Sequence, residues 1–288
     1  METIHDYMLF PEKRALLNGL TRETFGFDFE SWVSSGFFQG DYIPYSRVEQ
    51  GKIIANASAN RMTFCRNGEI LRLIQIGTVE TAPEFRRQGH AGDLIREILA
   101  DCCSVDGVYL FGNPDVAGFY DSLGFHRCLQ RRYWTEELPQ RAGTPFAPVG
   151  ADRADSYIAA VLTWRECSEF YQVNRAGLQL FYTAGLEQVY WCEDLRAFAV
   201  WEGQGEEITL QSILSREPVS VEDVLKHLPE EVRKVNFGFV PPETAGLQSE
   251  SFDGGEDYIL FCLGEKVEHM DRDGLYFPDL SHACHRLY

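Results

Sequence analysis

The chain has 288 residues, 44% of them hydrophobic and 24% charged, with a formal net charge of −18 at pH 7. This is the make-up of a soluble globular protein large enough for one large or two medium domains. Its acidity disfavours nucleic acid and anionic membrane as partners. No apolar run approaches the roughly 18–20 residues that span a bilayer. The opening METIHDYMLFPEKR lacks the basic and apolar regions of a signal peptide. Eight cysteines without a Cys-x-x-Cys pair read as reduced thiols, so a cytoplasmic protein is expected. The charge is unevenly shared. Residues 1–150 carry 15 Lys+Arg against 19 Asp+Glu (−4), and residues 151–288 carry 11 against 25 (−14). Such a field suits a cationic acceptor such as an amine, and it also simply keeps a surface soluble.

In chain order, Leu16, Leu17, Leu20 and Phe25 fall near one face of a helix predicted over 12–25. A second helix is expected at 29–33, leading into an aromatic loop. Strand patterns follow at 45–49 and 52–64, flanking Gln50-Gly51. A third, over 69–81, is set off by Asn67-Gly68, a pair that favours a type I′ hairpin. Strand 76–81 ends at Pro83, which has no donor for a ladder. The loop Arg86-Arg87-Gln88-Gly89-His90-Ala91-Gly92 comes next, and then Leu94, Ile95, Ile98 and Leu99 at helical spacing. Strand, glycine-bearing loop and helix together present backbone N–H groups and a helix N-terminus to an anion. Gly89 allows close backbone approach and the arginines suit phosphate, so this stretch reads as a pyrophosphate cradle.

The cradle has neither of the common nucleotide signatures, Gly-x-x-x-x-Gly-Lys-Ser/Thr and Gly-x-Gly-x-x-Gly. It resembles the acetyl-CoA loop of the GCN5-related N-acetyltransferase (GNAT) superfamily, whose pattern Gln/Arg-x-x-Gly-x-Gly/Ala fits residues 86–91. The superfamily's second block, Asn…Ala-x-x-Phe-Tyr-x-x-x-Gly-Phe, is similar to residues 113–125, with a strand at 107–111 between the two. The resemblance implies an α/β (α+β) GNAT fold: a mixed, mostly antiparallel sheet with helices on both faces. Residues 1–145 would be the catalytic domain.

Residues 146–288 read as a degenerate GNAT-like copy that shapes the acceptor site. Helices are predicted at 156–167, 174–182 and 219–228, the last with Ser220 as N-cap. Strands are predicted at 189–192, 195–201, 208–214 and 234–240. The link Ser215-Arg-Glu-Pro-Val has no glycine and one arginine beside a glutamate, so this half should not bind pyrophosphate. The arrangement resembles the first two domains of Eis-like acetyltransferases.

Chemically, the resemblance implies attack of a neutral amine on the thioester of acetyl-CoA, the co-substrate, with no metal. Arg86, Arg87, Gln88, Gly89, His90, Ala91 and Gly92 would grip the pyrophosphate. The strand edge Val79, Glu80 and Thr81 would pair with the pantetheine as an added strand does, and Asn113 and Val116 would flank it. Tyr120 matches the family's acid position, and a phenol of pKa about 10 suits a leaving thiolate. Glu80 is the candidate base beside the cofactor strand. Some family members carry a glutamate where this chain has Gln75, which takes no proton. Trp32, Phe37, Phe38, Tyr42 and Tyr45 are candidate acceptor-pocket walls by resemblance, or core aromatics. The expected partner is a small-molecule or peptide amine, with homo-oligomerisation left open. A CoA-binding sensor without turnover and an enzyme for longer acyl groups are the rival readings. Tyr288 could deliver a terminal carboxylate as base. His282-x-Cys284-His285 lacks a matching ligand pair for a metal, and Cys102-Cys103 has no nearby histidine to make a nucleophile.

Overall fold

The computed structural model describes residues 1–282. The first part runs β1 (Glu2–His5), α1 (Pro11–Phe25), α2 (Glu30–Ser34), β2 (Tyr42–Glu49), β3 (Lys52–Arg66) and β4 (Glu69–Thr81). It continues through α3 (His90–Asp101), β5 (Gly107–Gly112), α4 (Ala117–Asp121), β6 (His126–Cys128) and β7 (Gln130–Thr135). Then come β8 (Ala147–Pro148), α5 (Ala154–Thr163), β9 (Arg165–Glu166), β10 (Phe170–Gln172), α6 (Ala176–Thr183) and β11 (Val189–Cys192). The last part comprises β12 (Ala197–Glu202), β13 (Glu207–Ser215), α7 (Val221–Lys226), β14 (Lys234–Phe237), β15 (Gln248–Phe252) and β16 (Ile259–Leu263). Among the described residues no helix is long and apolar enough to cross a membrane.

These strands make two sheets of the mixed, mostly antiparallel kind expected. One has the order β1-β2-β3-β4-β5-β16-β6, with β10 added on β3. The other has the order β15-β7-β14-β13-β12-β11-β8, with β9 on β13. Among the described residues each holds a single parallel pair, β4–β5 in the first and β13–β14 in the second. Helix α3 is the crossover between β4 and β5, and α7 plays the same part in the second sheet. The apolar stripe of α3 explains its seat: Leu94, Ile95 and Ile98 are fully buried against Ile74, Ile76 and Val108. Each such side chain contributes about 1.5–3 kcal/mol.

The sheets are not confined to residues 1–145 and 146–288. Strand β16, from the C-terminal part, lies between β5 and β6, with Ile259 opposite Gly112 and Leu260 opposite Cys128. Strand β7, from the N-terminal part, lies between β14 and β15. The first sheet thus takes β16 and β10 from the C-terminal part, and the second takes β7 from the N-terminal part. The faces between them form one core, in which Phe64, Tyr109, Phe170 and Phe277 stack together. The helix expected over 156–167 ends at Thr163. Trp164 is extended, and Arg165 and Glu166 join β13 instead. The pull of an open ladder outweighs helical periodicity there.

Because each sheet needs a strand from the other half, residues 1–145 produced alone should not fold cooperatively. Circular dichroism and thermal melting would check this; a sharp transition in the fragment would contradict it.

Candidate active site

The β4–β5 pairing lasts for three residues, Leu73 opposite Gly107, Ile74 opposite Val108 and Gln75 opposite Tyr109. Beyond it the strands separate, and the gap is a cavity of about 490 Å³. Its β4 wall is Ile76, Gly77, Thr78 and Val79, and its opposite wall is Phe111, Gly112, Asn113, Val116 and Tyr120. Phe25 of α1 and Glu256, Asp257 and Tyr258, just before β16, complete the lining. A parallel strand without its neighbour carries main-chain donors and acceptors that an extended ligand can pair with.

Past the end of β4 the chain turns into the cradle. Arg87 (φ 62°) and Gly89 (φ 90°) both take the left-handed conformation, so successive N–H groups converge as in an anion-binding nest. Gly89 is the N-cap of α3 and supplies no side-chain bond, so the first N–H groups of that helix are left without a side-chain cap. Two bonds shape the loop from outside: Arg86 Nε donates to the Thr81 carbonyl at 3.0 Å, and Gln88 Nε2 to the Glu84 carbonyl at 3.1 Å. His90 begins α3, half-buried, with its ring 6.4 Å from that of Phe85. Ala91 and Gly92 complete the first turn, where a Cβ added to Gly92 would come to ordinary contact distance from Phe119 of α4.

Tyr120 sits in the cavity wall, 6% exposed, its ring between those of Phe119 and Phe261. Gly112 makes this possible. A Cβ there would stand 2.7 Å from Tyr120 Cε2, closer than real contacts allow. Asn113 lines the cavity and caps the turn that follows, its Oδ1 accepting from the Asp115 N–H at 2.8 Å.

The structure places Glu80 elsewhere. Its side chain does not line the cavity. It lies under α1, 3% exposed, with Oε1 accepting from Thr21 Oγ1 at 2.9 Å. Strand alternation explains this, since Val79 takes the cavity face and its neighbour the opposite one. Burial pushes the Glu80 carboxyl up to about 8, against the lowering by Thr21 and Thr24. Glu80 is therefore not placed to act as a base on an acceptor in this cavity, while its main chain still belongs to the strand edge. Trp32 and Tyr42 likewise pack with Phe29, Phe38 packs with Trp32, and none of the three lines the cavity. Trp32 Nε1 donates to the Gly177 carbonyl of α6 at 2.8 Å. Phe37 and Tyr45 are also absent from the cavity wall.

Sequence reasoning missed Phe111, Gly112 and the three residues before β16. The signals that existed were a glycine directly before Asn113 and the Asp253-Gly254-Gly255 turn. A Cβ on Gly254 (φ 106°) would fall 2.0 Å from the Tyr258 carbonyl oxygen. Among the described residues no group of three or more His, Cys, Asp or Glu could hold a metal. Cys284, His285 and Tyr288 lie outside the described residues.

A model of the acetyltransferase (GNAT) domain matches residues 27–128, which contain both the cradle and the Tyr120 block. Over those residues the chain is similar to a GNAT domain. The resemblance read from the two sequence blocks is thereby borne out, and the family is one of acyltransferases. The likeness of fold extends over both sheets. A GCN5-related N-acetyltransferase from Anabaena variabilis superposes with a TM-score of 0.55 at 14% identity, covering 91% of this chain and 72% of that one. One from Kribbella flavida gives 0.53 at 15%, covering 91% and 70%. Eis1 from Mycobacterium abscessus gives 0.52 at 14%, covering 87% and 72%. At these identities the likeness is one of fold. No curated protein sequence matches the chain.

The second sheet of this GNAT architecture repeats the separation but closes it. The β13–β14 pairing ends at Leu210 opposite Phe237. Residues 165–170 then run between the strands. Glu166 pairs with Leu214, Cys167 N–H donates to the Ile213 carbonyl at 3.0 Å, and Glu169 N–H to the Val240 carbonyl at 2.9 Å. Helix α7 is capped as expected, Ser220 Oγ accepting from the Asp223 N–H at 3.0 Å. The cleft of the second sheet is filled by its own chain.

Glu80 gives a test by pH. Its folded value of about 8 against an ordinary 4.5 means that between these pH values the folded state holds a proton the unfolded chain has released. Stability should therefore fall as pH rises through that window. Glu80→Gln, which still accepts from Thr21, should gain thermal stability relative to wild type between pH 5 and 8 by calorimetry. Parallel curves would mean the carboxyl is ionised in the fold.

Proposed function

We propose that the chain is an N-acetyltransferase that moves an acetyl group from acetyl-CoA to a primary amine by direct transfer within a ternary complex. The observation that carries this reading is the continuity of three features. The open β4 edge leads at one end to the uncapped N-terminus of α3 and is faced across the gap by Tyr120.

The residues present fit the co-substrate. The nest at Arg87–Gly89 and the first turn of α3 offer main-chain donors and a positive dipole end to a pyrophosphate. Residues 76–81 offer the pantetheine amides a strand edge, and donors along it polarise the thioester carbonyl. Acetyl-CoA supplies the activated acyl group. The amine's nitrogen bonds to the acyl carbon as the carbon–sulfur bond breaks, and the Tyr120 phenol gives its proton to the departing thiolate. With Glu80 turned away and an amide at Gln75, the carboxylates lining the cleft among the described residues are Glu256 and Asp257. Standing on the glycine-built turn before β16, they hold the acceptor's positive charge and take up its released proton through water. Both come from the strongly acidic C-terminal half, which gives that half its role in acceptor choice.

Two measurements test this. Thiol release from acetyl-CoA should depend on an added amine, and in Tyr120→Phe its kcat should drop by about 10²-fold or more with acetyl-CoA affinity unchanged. Tight binding without release for any amine would instead make the protein a CoA-binding sensor. Glu256→Gln combined with Asp257→Asn should raise KM for a dicationic amine about tenfold, a loss of about 1.4 kcal/mol, and leave KM for acetyl-CoA unmoved. Equal KM values for the amine would remove these carboxylates from the acceptor site.

A further inference from the structure

Strand β4 is bulged where it borders the cleft. Across the β3–β4 ladder Asn56 faces Glu80 and Ser58 faces Gly77, so Thr78 and Val79 together oppose Ala57 alone. Thr78 has φ 47°, a left-handed conformation that a β-branched residue rarely adopts. A strained residue of this kind persists only when its surroundings over-determine it, and such strain gathers at functional sites. Here the surroundings are identifiable. Asn56 Nδ2 donates to the Thr78 carbonyl at 2.9 Å, and Tyr42 Oη donates to Thr78 Oγ1 at 3.0 Å. Asn56 is itself held on all sides: its Nδ2 also reaches Ser58 Oγ at 3.0 Å, and its Oδ1 accepts from Ser46 Oγ at 2.7 Å. Ser46 is bonded in turn to Tyr7 Oη at 2.5 Å. Every member of this network is at least nine-tenths buried. None of its donors to Thr78 lines the cleft, whereas Thr78 and Val79 do.

We propose that Asn56 and Tyr42 are positioning residues that clamp the Thr78 bulge, and that the clamp fixes the main-chain edge against which the acyl-thioester end of the co-substrate lies. A bulge turns one residue's main-chain groups out of the β3 ladder and re-aims the strand locally. Released, Thr78 would relax toward ordinary extended backbone, and the register of residues 77–79 with a bound thioester would be lost. Because the bulge sits beside the reacting carbon rather than along the whole pantetheine, its loss lowers turnover more than it weakens binding. This inference rests on the acetyl-transfer reading above.

The test is a double-mutant cycle with Thr78→Gly, since glycine takes a positive φ without help. In the wild-type background Asn56→Ala is expected to lower kcat for acetyl transfer at least tenfold, with KM for acetyl-CoA changed less than threefold. In the Thr78→Gly background the same substitution should cost less than twofold. Equal losses in the two backgrounds would overturn the clamp, because a residue that only stabilises the fold is not rescued by glycine at position 78. Should Asn56→Ala fail to fold, Tyr42→Phe, which removes a single hydroxyl, carries the same cycle with the same two expected results. Calorimetric titration of the wild type with acetyl-CoA separates the two levels. No binding, or no transfer to any amine, overturns the acetyltransferase reading and the clamp with it, while an active wild type with uncoupled variants overturns the clamp alone.

Discussion

The proposed function depends on a ladder that stops early. After Gln75 and Tyr109 the parallel strands β4 and β5 part, and their ladder does not continue. A sheet interior does not open without cost, because each unpaired buried main-chain group forfeits on the order of 1–3 kcal/mol. The protein holds the gap open by shape. α3 wedges its apolar stripe under one strand, and α4 packs Tyr120 against a β5 glycine on the other side. The strain at Thr78 belongs to the same construction, as one of the points where the strand is bent away from its former neighbour.

The second sheet shows the alternative solution to the same problem. Its strands part at the corresponding place, and residues 165–170 enter the space and restore the missing bonds. The two halves share a topology, yet in one the strands part around a cavity and in the other residues 165–170 run between them. The satisfied half is free to serve another end, and it lends the first sheet β16 together with the turn bearing Glu256 and Asp257.

Much of the first sheet and its site was legible in the sequence because the signals are local. The cradle is read from seven consecutive residues, the Tyr120 block from thirteen, and the β3–β4 hairpin from Asn67-Gly68, whose residues both have positive φ. What stayed hidden depends on partners distant in the chain. Nothing near Arg131 or Tyr133 says that they pair beside β14 and β15, and nothing near Leu260 says that it lies opposite Phe111. The helix expected through Cys167 fails for the same reason: its last residues are claimed by β13, across some fifty positions of sequence. Glu80 was misread at a finer scale. Alternation puts adjacent residues on opposite faces, but which face holds the cleft is fixed by the packing of α1, through Thr21, and not by any pattern within the strand.

The exchange of strands also has a bearing on how the chain is made. Strand β5 ends at residue 112, and the strand that pairs along its far side ends at residue 263, 151 residues later. At about 5–20 residues per second, synthesis leaves roughly 8–30 seconds between the two. Throughout that interval the nascent sheet presents a raw hydrophobic edge, Val108 to Phe111, of the sort to which other chains add. Completion of the first sheet must therefore wait until residue 263 has been made.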